Sequence, residues 1–441
     1  MATSSSEKYA AAVGAPDRPA SRPRRVLYVE KASGVGGSTV GLHRLAANLD
    51  RARYQPIVLF YGPNQYVPQF VAQGLQVIVL GQNGAERAKS GTRTWKNSAL
   101  VRTLKRLSWV RRAYCAAKIC EEVVFKTLPQ AWHLREVIHR HRIDLVHLND
   151  EPVGNREGII ASMLAGVPCI CHGRQYGEAS QLDRVLARVV TFAIYMSYAM
   201  KTFWESHWSA RPGRVVYDAL PLDGYLAARD SGPVRAEFGL AADDFVLANV
   251  GRIVEWKGHK VLLRALASAR RTAPTVKCLI VGEPDPPDDT RYIGEIRELA
   301  RSLDVEDAVI FSGFRTDIPR ILSGIDVLVH SATEPEPFGL TLIEGMAAAK
   351  PVIGTNAGGV PEIIENDGVG ILVPPGDVEA LATAITTLAL DGAKAVKMGK
   401  AARQSVLRRF TIERFVAEVQ DIYDRVLQPN ETTGPGPWIR G

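Results

Sequence analysis

The chain has 441 residues, 46% hydrophobic and 23% charged, with a net charge of +7. This is the composition of a globular protein of two or three domains, and it excludes collagen-like, wholly disordered and disulfide-scaffold classes. The longest apolar run, 189–196, is interrupted at Thr191 and falls far short of the ~18 residues of a membrane span.

Taken in chain order, residues 1–24 are rich in Ala, Ser, Pro and Arg without an apolar stretch, which predicts a disordered arm and no signal peptide. The run 25–30 is a short apolar strand leading into a glycine-bearing loop at 31–38. Leu42, Leu45, Ala46 and Leu49 then recur at helical spacing. Two further strands are expected at 56–60 and 76–80. Between Arg87 and Lys118 stand ten Lys or Arg and no acidic residue, so the rest of the chain carries net −3. Within that window Leu100, Leu104, Leu107, Val110 and Tyr114 form an apolar stripe among Arg102, Lys105, Arg106, Arg111 and Arg112, with Trp95 and Trp109 interspersed. A helix of that kind suits an anionic membrane surface. No nucleic-acid recognition motif accompanies it, so nucleic acid is not an expected partner.

Apolar runs continue at 144–149 and 167–172, and 189–196 reads as a buried strand or helix. The turn-rich stretch 218–239 predicts a linker. The β-α pattern then restarts, with strands expected at 245–251, 276–281, 308–311, 326–330, 351–354 and 369–373 and a helix at 261–269. Strands alternating with helices imply parallel sheets covered on both faces. The expected fold class is therefore α/β, with two Rossmann-like doubly wound domains (25–217 and 218–409) facing across a cleft. A last helix at 410–427 places Phe415, Val419 and Ile422 on one face, and the Pro- and Gly-rich 428–441 predicts a disordered tail. Five cysteines without a leader point to a reducing, cytoplasmic compartment. Cys169 and Cys171 have no second Cys or His pair at zinc spacing, so no metal site is expected.

In such folds ligands sit beyond the carboxyl ends of the strands. The first such loop carries Gly34, Gly36 and Gly37; Thr39 breaks the dinucleotide pattern of glycines, leaving an anion at a helix start or an ordinary tight turn. In the second domain Arg252 and Lys257 follow the first strand, where two cations can hold a diphosphate and stabilise it as a leaving group. Glu336 precedes Pro337, which favours an extended backbone and leaves it in a loop. The helix then begins near Phe338 or Gly339, with Leu340, Ile343 and Ala347 inward. Glu344 lies in its second turn among apolar neighbours, where a carboxylate needs a partner such as vicinal hydroxyls. In the first domain Asn149, Asp150, His172 and Arg174 each end a strand and are expected to project into the cleft.

Gly251-Arg252 with Lys257-Gly258, Glu336 and Glu344 around Pro337-Phe338-Gly339, then 358–362 (GGVPE) and 370–377 (GILVPPGD) together resemble retaining glycosyltransferases of family four, which have the two-domain GT-B fold. The likeness covers nearly all of the second domain; in the first, the glycine loop, His172 and 195–200 fit. It implies that Arg252 and Lys257 hold a donor diphosphate, that Glu344 bonds ribose hydroxyls, and that Glu336 contacts the transferred sugar. Phe338, Gly339 and Leu340 would offer backbone N–H groups. Gly36 and Gly37 would face the diphosphate, His172 would lie near the donor sugar, and the base would rest by Gly282, Phe314 and Arg315. The likeness also implies that 410–427 crosses back to the first domain, that no metal or other cofactor is needed, and that the donor phosphate accepts the acceptor's proton at the front face. Two departures stand out: 218–223 (DALPLD) replaces the commoner Pro-Asn-Gly-Val-Asp, and 284–287 (PDPP) is an unusual loop.

The expected function is hexosyl transfer from a nucleoside-diphosphate sugar to a lipid-linked or saccharide hydroxyl, with the basic segment placing the enzyme peripherally on the cytoplasmic face of a membrane. Asn149, Asp150 and Arg174 would form the acceptor side. Two alternatives remain at this stage: a catalytically silent protein of the same fold that binds membrane or a partner, and a nucleotide-sugar epimerase.

Overall fold

The computed structural model describes residues 22–31, 36–80, 121–207, 212–227, 230–285 and 289–428. The basic segment 87–118, Gly34, the arm up to residue 21 and the tail from 429 lie outside these.

Seven strands form the first sheet: β1 (Arg24–Glu30), β2 (Tyr54–Phe60), β3 (Gln76–Val79), β4 (Leu145–Leu148), β5 (Cys169–Gly173), β6 (Phe192–Tyr195) and β7 (Gly213–Val215). Six form the second: β8 (Phe245–Val250), β9 (Val276–Val281), β10 (Val309–Gly313), β11 (Val327–His330), β12 (Val352–Thr355) and β13 (Ile371–Val373). Their orders are β3-β2-β1-β4-β5-β6-β7 and β10-β9-β8-β11-β12-β13. Both sheets thus run outward in two directions from their first strand. Every pairing is parallel, for example Val26↔Leu145 and Leu247↔Val327. Parallel strands covered on both faces read as continuous apolar runs, which is why the sequence shows them. The short edge strand β7 escapes notice because Gly213 and Arg214 interrupt its pattern. Residues 22–24, which the composition assigns to the arm, are part of the first domain: β1 starts at Arg24, and Arg22 donates to Asp144.

Each sheet is sandwiched. One face of the first packs Leu42 and Leu45, from the helix Gly37–Ala47, with Phe415, Val419, Ile422 and Tyr423 from the closing helix Ile412–Leu427. The chain's last helix therefore belongs to the core of the first domain. The opposite face packs Ala131, Leu134 and Ile138 of the helix Leu128–Arg140. A separate buried cluster crosses between the domains, running from Tyr195, Met200 and Trp204 to Phe338, Leu342, Val360 and Phe410.

In both sheets the order reverses between the first and fourth strands, at β1/β4 and at β8/β11. Crevices for ligands open at such switch points. The loops after β1, β4, β8 and β11 carry Gly36, Asn149 and Asp150, Arg252 and Lys257, and Glu336; His172 and Arg174 stand at the end of β5, Gly282 after β9, and Phe314 and Arg315 after β10.

Candidate active site

Glu336 lies in the loop between β11 and the helix Leu340–Ala347, as the Pro337 restriction requires. Its Oε2 accepts a hydrogen bond from Lys257 Nζ at 2.6 Å and from His330 Nε2 at 3.0 Å. Both members of the ion pair are largely shielded, with side chains 16% and 14% exposed. Burial alone would raise the carboxyl's pKa; the Lys257 charge and the His330 bond overcome it and bring Glu336 down to about 2. The group is therefore a carboxylate at neutral pH. His330 was not singled out from the sequence, although it ends β11 and the same strand-end rule that marked His172 applies to it. Thr355 Oγ1 meets its other nitrogen at 3.3 Å, fixing the ring.

The two loops of this cluster are bound to each other. Ser331 Oγ donates to Lys257 O and Thr333 N to Trp256 O, while Lys257 Nζ sits 4.2 Å from the Trp256 ring centre. Two glycines make the close approaches possible. Gly358 has φ +62°, and a Cβ there would stand 2.1 Å from Glu336 O. Gly282 has φ +145°, and a Cβ would stand 1.9 Å from Gly251 O. No other residue fits either place. Arg252 is exposed and paired with Asp285 of the unusual 284–287 loop, so it can exchange that carboxylate for an anionic ligand.

Glu344 Oε1 accepts from Tyr225 Oη at 2.9 Å. Burial raises its pKa, and Arg44 and Tyr225 offset part of that rise. Nothing local in the sequence marks Tyr225 or Arg44; they come from the interdomain connection and from the first domain's first helix. At its start that helix brings Gly37 to the cleft, where a Cβ would lie 3.6 Å from Leu340 Cδ1, while the space beside Gly36 is open. Leu340 opens the Glu344 helix, and a helix start presents N–H groups that lack the usual intrahelical acceptor; of these, Leu342 N turns to Gly339 O. Phe338 is buried and stacks on Tyr217, ring centres 5.5 Å apart. Phe314 is 56% exposed at the end of β10, while Arg315 is held by Glu237 and Asp317.

The first-domain candidates lie differently from the strand-end expectation. Asn149, His172 and Arg174 are buried rather than projecting into the cleft. Arg174 Nη1 donates to Asp218 Oδ2 at 2.6 Å and Nε to Asn149 Oδ1 at 2.8 Å. Asn149 Nδ2 in turn donates to Glu30 Oε2 and Ser38 O. A buried guanidinium needs such partners, and Asp218, which stands where the resemblance would have another residue, supplies the charge. His172 packs against His147 and the Phe415 ring, and burial pushes its pKa well down. Asp150 is partly exposed. Gln175 Nε2 donates to both Asp150 and Glu151 at 3.0 Å, and burial together with Asp150 pushes Glu151 up to about 9.

The arrangement offers a carboxylate between two nitrogen donors, a second carboxylate one helical turn further in, two cations and the N-terminus of a helix. That combination suits a hydroxylated diphosphate ester. Residues 231–405 match the family described as glycosyl transferases group 1, and 36–217 match the glycosyl transferase 4-like domain. N-acetyl-alpha-D-glucosaminyl L-malate synthase of Bacillus anthracis is 26% identical over 324 residues, covering 69% of this chain and 80% of that protein. UDP-Gal:alpha-D-GlcNAc-diphosphoundecaprenol alpha-1,3-galactosyltransferase of Escherichia coli is 24% identical, covering 71% and 83%. The structure of Anabaena Alr3699/HepE in complex with UDP and glucose shares the fold, with a TM-score of 0.72 at 24% identity over 90% of this chain and 99% of that one.

Proposed function

The chain belongs to the group 1 glycosyltransferases, and we propose that it is a retaining, metal-independent hexosyltransferase using a nucleoside-diphosphate sugar. The observation that carries this reading is the shielded Lys257–Glu336–His330 cluster at the switch point of the second sheet. Lys257 and Arg252 hold the diphosphate and stabilise it as it leaves, which is the charge role a metal fills in other transferases. Glu336 accepts hydroxyl hydrogens of the transferred sugar, and Glu344 those of the ribose. The N–H groups of Phe338, Gly339 and Leu340 face sugar and phosphate, with Gly36 and Gly37 opposite, and the base lies by Gly282 and Phe314. The acceptor hydroxyl attacks the anomeric carbon from the face that the diphosphate leaves, and the departing phosphate oxygen takes its proton. No side-chain nucleophile is assigned.

The acceptor is lipid-linked or a saccharide, taken up on the first domain's side near Asp150. Association with a membrane surface is supported by Phe125, Leu128 and Trp132, which are exposed at the start of the helical stretch that follows the basic segment. Vesicle sedimentation tests it: binding to acidic but not neutral vesicles is expected, and equal binding to both, or to neither, refutes it.

Calorimetric titration with UDP, GDP, ADP and dTDP tests the donor reading. UDP is the first choice, since one relative is named for a UDP-linked donor and the Anabaena structure holds UDP. Selective binding of one nucleotide, weakened in Lys257→Ala, is expected. Binding of none, with the protein folded, refutes the donor assignment and favours a silent scaffold.

A further inference from the structure

Glu362 belongs to the second domain, in the short helix Val360–Ile363, yet its carboxylate is spent on the first. Its Oε2 accepts from Tyr198 N at 2.8 Å and its Oε1 from Ala199 N at 2.9 Å. These are the opening N–H groups of the first-domain helix Tyr198–His207, which have no acceptors within their own helix. Tyr217 Oη, on the chain leaving the first domain, adds a third bond at 3.0 Å. A carboxylate at that position also complements the helix dipole. Beside it Ser197 Oγ donates to Pro337 O at 2.7 Å. The first domain's helix therefore abuts the loop that carries Glu336.

The same short helix is joined to Glu336 from its other side. Gly359 N donates to Glu336 O at 2.8 Å, and Gly358 and Glu336 form a parallel bridge. Arg409 fixes the helix from behind through Glu362 O and Ile363 O. A continuous series of bonds thus runs from the first domain's helix to Glu362, along 358–362, and into the backbone of Glu336. Tyr217 stacking on Phe338 runs parallel to it.

We propose that Glu362 is a positioning residue: it locks the first domain's helix to the Glu336 loop, so that the register of the two domains and the placement of Glu336 are set together. Glu362 acts through Glu336 and makes no contact with substrate. Separation of the domains would break the Tyr198 and Ala199 bonds to Glu362 and the Ser197 bond to Pro337 O in the same movement, removing the first domain's hold on the loop. The catalytic part of this proposal rests on the donor reading above; the interdomain part rests on geometry alone.

The test compares Glu362→Ala, Glu362→Gln and the milder Ser197→Ala with wild type, each first shown to be folded by circular dichroism and thermal melting. Three quantities are read: UDP affinity by calorimetry, release of UDP from saturating UDP-glucose or UDP-N-acetylglucosamine with water as acceptor, and interdomain spread by small-angle scattering. For Glu362→Ala, UDP affinity should stay within about threefold because the cations that hold the diphosphate, Arg252 and Lys257, both lie in the second domain. Turnover should fall about 10- to 100-fold, the scale of a small misplacement of a reacting group. The scattering profile should broaden. Glu362→Gln, which keeps one acceptor oxygen, and Ser197→Ala should fall between. A purely stabilising residue would lower the melting temperature and leave turnover of the folded enzyme unchanged, and that result overturns the proposal. If wild type releases UDP from neither donor, that failure bears on these two UDP-sugars alone and scattering decides: a Glu362→Ala profile superimposable on wild type overturns the lock.

Discussion

Replacing Lys257 by Ala removes one partner of a shielded ion pair and leaves the Glu336 carboxylate with only His330. Glu336 itself sets the scale of the effect, with Lys257 the largest of the groups that lower its pKa and His330 the other. Its carboxyl is brought from 4.5 to about 2 in the folded protein. At about 1.4 kcal/mol per pH unit, that amounts to about 3 kcal/mol of stability at neutral pH. The figure agrees with the ~3–5 kcal/mol found on breaking buried pairs. Because the folded value lies below the ordinary one, this contribution is complete above pH 4.5 and fades as the pH falls toward 2. In Lys257→Ala burial pushes Glu336 upward instead, so the deficit is greatest at neutral pH. A loss of about 3 kcal/mol lowers the melting temperature of a domain this size by about 6–12 °C, well short of unfolding the protein at room temperature. The assay is a double-mutant cycle of Lys257→Ala and Glu336→Gln, with stability read from urea unfolding at pH 7. Glu336→Gln keeps the shape and removes the charge, so the double variant should recover part of the loss, with a coupling above about 1.5 kcal/mol. A coupling below about 0.5 kcal/mol, or a Lys257→Ala deficit that does not shrink between pH 7 and pH 4, refutes the electrostatic account of Glu336.

Three other outcomes are expected. Asp218→Asn strips the charge partner from the buried Arg174 guanidinium and should cost about 3–5 kcal/mol in urea unfolding; a loss under 1 kcal/mol would show that Asn149 alone suffices. Tyr225→Phe removes the hydroxyl donated to Glu344, costing about 1–3 kcal/mol, and should weaken UDP severalfold if Glu344 serves the ribose; unchanged UDP affinity separates Glu344 from nucleotide binding. His147 is buried and its pKa is lowered from 6.5 to about 3, by burial first and Arg174 next. Unfolding between those values takes up a proton, so stability should fall by up to about 1.4 kcal/mol per pH unit as the medium is acidified below 6.5. His147→Gln should flatten that slope across pH 7 to 5, and an unaltered slope would assign it to other groups.

Fold class was legible in the residue order because fully covered parallel strands read as apolar runs: 56–60 is apolar throughout, and 245–250 and 276–281 are broken only by Asn249 and Lys277. The Glu336 loop was legible for a similarly local reason: Pro337 forbids helix at the preceding residue, so a carboxylate had to sit between strand and helix. The two cations after β8, and the small residues at 358–359, likewise follow from what a crowded strand-end loop can contain.

What sequence could not decide is partnership across long separations. Arg174, Asn149 and His172 stand at strand ends like true cleft residues, yet Asp218, 44 positions beyond Arg174, draws the guanidinium inward, and the closing helix covers His172 with Phe415. Tyr225 reaches Glu344 from 119 residues away and Glu362 takes the N–H groups of a helix 163 and 164 residues earlier. Such pairings depend on how two separately folded sheets meet. Local pattern determines which residues can form strands, caps and loops; only the packing of one domain on the other determines which polar group each of them finds.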